Sequence, residues 1–326
     1  MVFSSLPLGA PLIAFGISAL LVWGLSKYDV VLDYPNHRSL HVSPVPRTGG
    51  IGVVIGIFTT WLLFSTGLLN IILAACALTM LSIYDDFRGL SASLRLVIHI
   101  FVVSIFFIFS EDGANFPLLI IVVLVTVWMI NLYNFMDGSD GLAAGMAVIG
   151  FSFFAFSLRD YAPYGWASGS IAAAALGFLV FNFHPAKIFL GDSGSIPLGF
   201  LAAAFGYIGW TRSAWPWWYP VFVFSPFIVD ASLTLLKRML RRERIWEAHK
   251  QHYYQRLIRM GWGHKKTALA GYGLMLFIGF LATIALTAAA SAQKIFFLIV
   301  AILYLVVALL IDTKWASYVA NNRDLK

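Results

Sequence analysis

Charge is the first thing this sequence is short of. Only 11% of its 326 residues are Asp, Glu, Lys or Arg, while 60% are hydrophobic. Soluble domains carry about 25% charged residues, so a soluble globular or disordered chain is excluded. Cysteine is nearly absent: Cys76 stands alone inside an apolar run, so no intrachain disulfide can form. There is no Gly-x-Gly-x-x-Gly turn and no Walker loop, so the common nucleotide-cradling motifs are missing. No repeat, low-complexity linker or soluble domain interrupts the chain, which reads as one integral membrane domain over 1–326.

What is present is hydrocarbon in membrane-length runs, with a mean hydropathy of +0.84. Apolar segments fall near 5–26, 49–67, 69–84, 95–110, 117–133, 142–158, 166–183, 195–211, 217–237, 267–289 and 294–312. The chain is therefore an all-α polytopic membrane protein with about ten to eleven transmembrane helices. The first run has no basic leader and is long enough to stay as an anchor rather than be cleaved. With the N-terminus outside, Lys and Arg crowd the inner loops and leave Arg159, Arg212 and Lys294 outside. That asymmetry places the inner loops in the cytoplasm. The formal charge of +7 belongs to loops and points to anionic partners, lipid headgroups or a phosphorylated substrate. The basic residues are too scattered among short loops to bind nucleic acid.

Every segment with unusual polar chemistry falls on that inner side: 33–50, 85–95, 131–141, 184–195 and 241–266. The central one reads Asn-Leu-Tyr-Asn-Phe-Met-Asp-Gly-Ser-Asp-Gly, placing Asn131, Asn134, Asp137 and Asp140 three apart between two apolar runs. Continued helix would put them on one face. An Asp at mid-bilayer costs roughly 2.5–3.5 kcal/mol, so these carboxylates belong at a wet surface or in a polar cavity.

Arg38 and Arg47, with the amides of Gly49-Gly50, suit phosphate oxygens, and Pro44 and Pro46 forbid a regular helix there. Asp85-Asp86 repel one another unless a hard cation such as Mg²⁺ or a proton relieves them. Gly191-Asp192-Ser193-Gly194-Ser195, preceded by Lys187, leaves room for a metal and a phosphate. His249, His252 and Arg256 could line one helical face and bind phosphate or a sugar amide. A third nitrogen or sulfur ligand for zinc is lacking. The competing reading of each stretch is an ordinary solvated or basic juxtamembrane loop. Together they suit Mg²⁺-dependent phosphoryl transfer with a lipid reactant. Trp215, Trp217, Trp218 and Tyr219 read as an outer interfacial aromatic belt, with core packing as the rival.

The ordered set Pro44-Val-Pro-Arg-Thr-Gly-Gly50, Asp85-Asp86, Leu90-Ser-Ala-Ser-Leu-Arg95, Asn131-x-x-Asn134-x-x-Asp137-Gly-x-Asp140-Gly and Gly191-Asp-Ser-Gly-Ser195 resembles the polyprenyl-phosphate N-acetylhexosamine-1-phosphate transferases, the MraY/WecA-like proteins of glycosyltransferase family 4. The resemblance covers most of the chain, from Asp33 to about Lys266. It implies transfer of a sugar 1-phosphate from a UDP-N-acetylhexosamine to undecaprenyl phosphate, with UMP leaving, at the cytoplasmic face of a bacterial inner membrane. It implies Mg²⁺, for which Mn²⁺ could substitute, held by Asn134 and Asp192. By motif position, Asp85, Asp86, Asp192 and His252 are the expected catalytic residues. Arg47, Arg95, Asn131, Asp137, Asp140, Lys187, His249 and Arg256 are the expected substrate contacts. Direct attack of the lipid phosphate is preferred to a covalent enzyme intermediate.

One departure stands out. Where the family often carries His-x-His-His, this chain has His252-Tyr253-Tyr254-Gln255, keeping only the first His. With Arg38-Ser-x-His41 and Tyr254-Gln255-Arg256, this looks like the subgroup that initiates O-antigen or capsule synthesis. The donor sugar would be of the N-acetylglucosamine, N-acetylfucosamine or N-acetylquinovosamine type. The oligomeric state is left open, a homodimer included. Two rival readings fit the residues less well. A CDP-alcohol phosphotransferase would need Arg where Gly145 stands. A transporter would need ionisable groups near the midplane of several spans.

Overall fold

The computed structural model describes residues 9–28, 30–35, 40, 43–64, 67–110, 115–244, 247 and 249–322. Arg38 and His41 lie outside the described residues, as do residues 5–8 of the first expected span. The helices are α1 Gly9–Leu25, α2 Gly49–Phe64, α3 Leu69–Arg88, α4 Ala92–Ile108, α5 Phe116–Phe135, α6 Leu142–Ser157, α7 Tyr164–Asn182 and α8 Asp192–Thr211. They continue with α9 Trp218–Val223, α10 Ser225–Leu240, α11 Tyr253–Leu257, α12 Gly263–Ala285 and α13 Ala290–Asn321. A π-helical turn, Ile258–Trp262, joins α11 to α12. Among the described residues the strands are β1 Leu32–Asp33 and β2 Val45–Pro46, an antiparallel pair with Leu32 opposite Pro46. The extended Val45–Pro46 pair fits a proline-marked stretch that cannot be helical. Among the described residues, five helices are long and apolar enough to cross a membrane, and four shorter ones are apolar too. The chain is a multi-pass, all-α membrane protein.

Local chemistry sets the helix ends. Asn115 caps α5 by accepting from Leu118 N at 3.1 Å, with Pro117 in the first turn, where a missing N–H costs nothing. Gly89 ends α3 at φ 67°, a left-handed conformation that side chains disfavour. Two expected spans change shape. The run 217–237 is two helices, because Pro226 in the first turn of α10 has no N–H to continue α9. The run 69–84 extends to Arg88, so Asp85 and Asp86 close the last turn of α3 rather than open a loop.

Small residues set the packing. Gly56 and Gly177 bring α2 and α7 against the backbone of α1, where a Cβ would press on Ala14 O or Phe15 O. Ser18 Oγ donates to Ala174 O at 2.8 Å. Such contacts substitute for a hydrophobic drive that is weak inside lipid. The core gathers around α8, in which every residue from Ser193 to Gly209 except Ala203 is buried.

The aromatic belt is a correction. Trp215, Trp218 and Tyr219 are buried, and only Trp217 is exposed. Trp215 Nε1 donates to Gly206 O at 3.1 Å, and Tyr219 shares a hydrogen bond with Ser157 at 2.8 Å. Partners for their polar tips inside the bundle make these rings core rather than interface.

Candidate active site

Four of the five polar segments meet in one chain of contacts. The N–H of Gly89 donates to Asp85 O at 2.8 Å, and Leu90 N donates to Asp85 Oδ1 at 2.6 Å, so the carboxylate braces the turn after α3. Ser91 then caps α4 and places Arg95 in its first turns. From there Arg95 donates to Asp85 Oδ2 at 2.9 Å and to Asp192 Oδ2 at 3.2 Å. Asn134 Nδ2, from the end of α5, donates to the other Asp192 oxygen at 2.8 Å and to Ser195 Oγ at 3.0 Å. Beside them Arg47 pairs with Asp86 at 2.9 Å.

Backbone pairing makes this possible. Phe189 N donates to Pro46 O at 2.7 Å, Gly49 N to Phe189 O at 3.0 Å and Gly50 N to Leu190 O at 2.9 Å. The N-termini of α2 and α8 therefore touch, and a Cβ on Gly50 would overlap the Gly194 backbone. Gly191, at φ 69°, turns the chain into α8 so that Asp192 is its first residue. The positive ends of two helix dipoles thus face the same small volume.

The arginines are about a third exposed. Ion pairs at that exposure stabilise by at most about 1 kcal/mol, so each guanidinium can leave its carboxylate for a phosphate without unfolding the site. Negative charge is in excess. Asp137 has its carboxyl pushed well above the usual range, first by burial, then by the Asp192 charge, with the Gly191 N–H pulling the other way and Asp33 adding to the rise. A cation would relieve this crowding. Among the described residues no three His, Cys, Asp or Glu side chains converge as a protein-only metal cage. An oxygen set of Asp192 and Asn134 beside Asp85 and Asp86 fits Mg²⁺, which commonly takes one or two protein oxygens plus phosphate and water.

Asp140 belongs to a neighbouring cluster. Its Oδ2 lies 2.6 Å from His184 Nδ1 and accepts from Ala186 N at 3.1 Å; its Oδ1 is 3.6 Å from His264 Nδ1. The two imidazoles stack 5.4 Å apart. Asn182 ties the cluster down, accepting from Gly141 N and donating to Ile188 O, both at 2.9 Å.

The fifth segment reaches the site through aromatic rings. The Tyr254 hydroxyl donates to Phe135 O at 3.1 Å, and the His252 ring stacks on Phe135 at 6.0 Å, one residue after Asn134. His249 stands 4.8 Å from the His252 ring. Burial, and then the neighbouring His252 and Arg238, lower its pKa to about 4, so it is neutral at pH 7.

Some expected members stand apart. Helix α5 ends at Phe135, so Asn131 does not share a face with Asp137 and Asp140; its side chain donates back to Val127 O at 2.7 Å. Lys187 is exposed on the loop before α8. His249 and His252 precede α11 instead of lining it, because the chain from Arg241 to His252 is turn and loop where described. Arg256 is buried and donates to Asp312 Oδ1 at 2.9 Å, which turns it toward α13. Asn182, His184, His264, Asp230 and Asp312 were not singled out from the sequence. The three from outside the five polar segments, Asn182, Asp230 and Asp312, are polar residues within or at the end of apolar runs, and that placement is the available signal.

The sequence profile described as Glycosyl transferase family 4 matches residues 68–209. The chain is 30% identical to a probable undecaprenyl-phosphate N-acetylglucosaminyl 1-phosphate transferase of Bacillus subtilis, over 84% of this chain and 82% of that protein. It is 30% identical to a decaprenyl-phosphate N-acetylglucosaminephosphotransferase of Mycobacterium tuberculosis, over 81% of this chain and 76% of that one. It is 37% identical to a phospho-N-acetylmuramoyl-pentapeptide-transferase of Caldanaerobacter subterraneus, over 49% and 60% of the two chains.

Proposed function

The chain belongs to glycosyl transferase family 4, the polyprenyl-phosphate hexosamine-1-phosphate transferases, and on that premise we propose that it passes the N-acetylhexosamine 1-phosphate of a UDP-sugar to undecaprenyl phosphate. We place the reaction on the cytoplasmic face of a bacterial inner membrane, as the first step of an O-antigen or related envelope glycan. The observation that carries this reading is the linked set Asp85, Arg95, Asp192 and Asn134, with Arg47 and Asp86 alongside.

In this reading an oxygen of the lipid phosphate attacks the sugar-bearing phosphorus. The phosphoanhydride bond to UMP breaks, and UMP leaves with its electron pair. Arg47 and Arg95 exchange their carboxylate partners for phosphate oxygens and hold the two reactants in line. Asp85 or Asp86, as the carboxylate, accepts the lipid phosphate's proton and becomes the carboxylic acid, which leaves the attacking oxygen anionic. Asp192 and Asn134 would hold Mg²⁺ or Mn²⁺, which supplies neutralisation of the charge building on the phosphates. Asp137 and Asp140 shape the loop that receives the nucleotide, and His252 faces the sugar side. The relatives named for N-acetylglucosamine favour that donor, while the departure from the histidine run favours donors of the N-acetylfucosamine or N-acetylquinovosamine type.

The test is UMP release by the purified chain with undecaprenyl phosphate and Mg²⁺. UDP-N-acetylglucosamine, its galacto epimer and the two 6-deoxy donors are offered in parallel. One donor should turn over, EDTA should stop it, and Asp192→Asn should lower it by roughly 10³-fold or more. Folded protein that releases no UMP with any donor overturns the proposal.

A further inference from the structure

Asp230 lies on α10, outside every motif above, and is buried in the bundle. Its carboxylate is fully engaged. Oδ1 lies 3.2 Å from His252 Nδ1 and accepts from Tyr253 N at 2.9 Å and from Thr234 Oγ1 at 3.3 Å, and Oδ2 accepts from Tyr254 N at 2.9 Å. The two backbone donors are orphan N–H groups at the start of α11, which a side-chain acceptor must satisfy. His252 completes the turn through its own N–H, which donates to Gln255 Oε1 at 3.1 Å. Its ring stacks on Phe135 at 6.0 Å and on Tyr254 at 5.9 Å.

We propose that Asp230 is a positioning residue for the transfer reaction, fixing His252 in one orientation and one tautomer against the end of α5. A carboxylate can only accept, so this contact draws the imidazole proton to Nδ1, against the Gln255 N–H that also approaches the ring, and leaves Nε2 bare. Nε2 is then the one polar atom His252 has left to offer the sugar or a transferring proton. A histidine on the loop before α11 would otherwise pay for its ring orientation in each turnover. In this chain the following positions, Tyr253 to Gln255, hold no second histidine, and the neighbouring ring, His249 at 4.8 Å, comes from the preceding loop.

This rests on the transferase reading above, and the experiment separates the two. Full-length protein in lipid nanodiscs is assayed as wild type, Asp230→Asn, Asp230→Glu, His252→Gln and the double variant Asp230→Asn/His252→Gln. Asp230→Asn should lower kcat by about 30-fold while KM for the donor moves less than about threefold, as expected for an interaction used in the transition state. On the His252→Gln background the same change should cost less than about twofold, because the two residues act as one unit. Asp230→Glu, which keeps the charge, should recover part of the loss. Losses that multiply, or a change in KM alone, overturn the proposal and leave Asp230 as a helix cap. Imidazole ¹⁵N signals supply a readout that needs neither turnover nor a folded variant. Wild-type His252 should show protonated Nδ1 and bare Nε2, and the opposite tautomer overturns the proposal. If wild type releases no UMP, the transferase reading has failed, and the tautomer alone decides whether Asp230 sets the ring.

Discussion

Helices α8 and α13 are both apolar, and the molecule uses them in opposite ways. Helix α8 is buried almost throughout, with Asp192 fixed at its head. Helix α13 is the most apolar of the five long candidate spans, yet only Phe296, Val300 and Ile311 are buried. Greasiness therefore marks the helix that faces lipid, and small residues mark the helix that carries chemistry. Glycines and alanines let neighbouring backbones approach α8 closely enough to fix its first residue. Helix α13 is instead pinned at points: the Phe222–Phe297 stack at 5.2 Å, Tyr304 to Ser225 at 2.6 Å, and Asp312 to Lys237 and Arg256.

This contrast can be broken in steps. The largest effect is expected at the head of α8. Gly50→Ala would push a methyl into the Gly194 backbone, which cannot move aside, and should cost about 3 kcal/mol or more. Thermal unfolding in detergent, or loss of a monodisperse peak on size exclusion, reads it. A midpoint unchanged from wild type would mean that the two helix heads are not in contact.

Removing a pin from α13 should matter less. Asp312→Ala leaves the buried Arg256 without its carboxylate, but Asp312 is about a third exposed, so water recovers part of the loss. About 1–2 kcal/mol of destabilisation is expected, with UMP release falling only a few-fold because Asp230 still caps α11. A change in activity as large as that of Asp192→Asn would place α13 inside the catalytic machinery. The smallest effect belongs to the lipid face. Leu305→Ala, at a position 58% exposed, should stay within about 0.5 kcal/mol of wild type by the same melt. A cost of several kcal/mol there would show that α13 is covered by a second copy of the chain.

The membrane class and the helix order were legible from apolar run length alone, since lipid forces backbone polar groups to pair within each span. So was the meeting of Arg47, Asp85, Asp86, Arg95, Asn134 and Asp192, because charged groups collected on one side of a bundle have few other places to go. Asn131 was misjudged because the three-residue spacing assumes a helix that stops at Phe135. The turn of Arg256 toward α13 is not legible because its partner, Asp312, comes from a span whose sequence otherwise reads as plain anchor. Asp230 was invisible for a related reason. A lone carboxylate in an apolar run signals that a partner exists but not which one, and here the partners are mostly backbone N–H groups with no sequence signature at all.

The hydrogen bond from Ser18 to Ala174 joins residues 156 positions apart. A ribosome adding about 5–20 residues per second needs roughly ten to thirty seconds to cover that interval. During that time α1 sits in the bilayer with its small-residue face unclaimed by α7, the helix it will finally dock against. Arg95 waits a further stretch for Asp192, and Arg256 for Asp312. The protein is thus made from first helix to last in time, while its contacts join helices that are far apart in sequence. Its early helices must tolerate lipid or a chaperone on surfaces that the finished molecule hides.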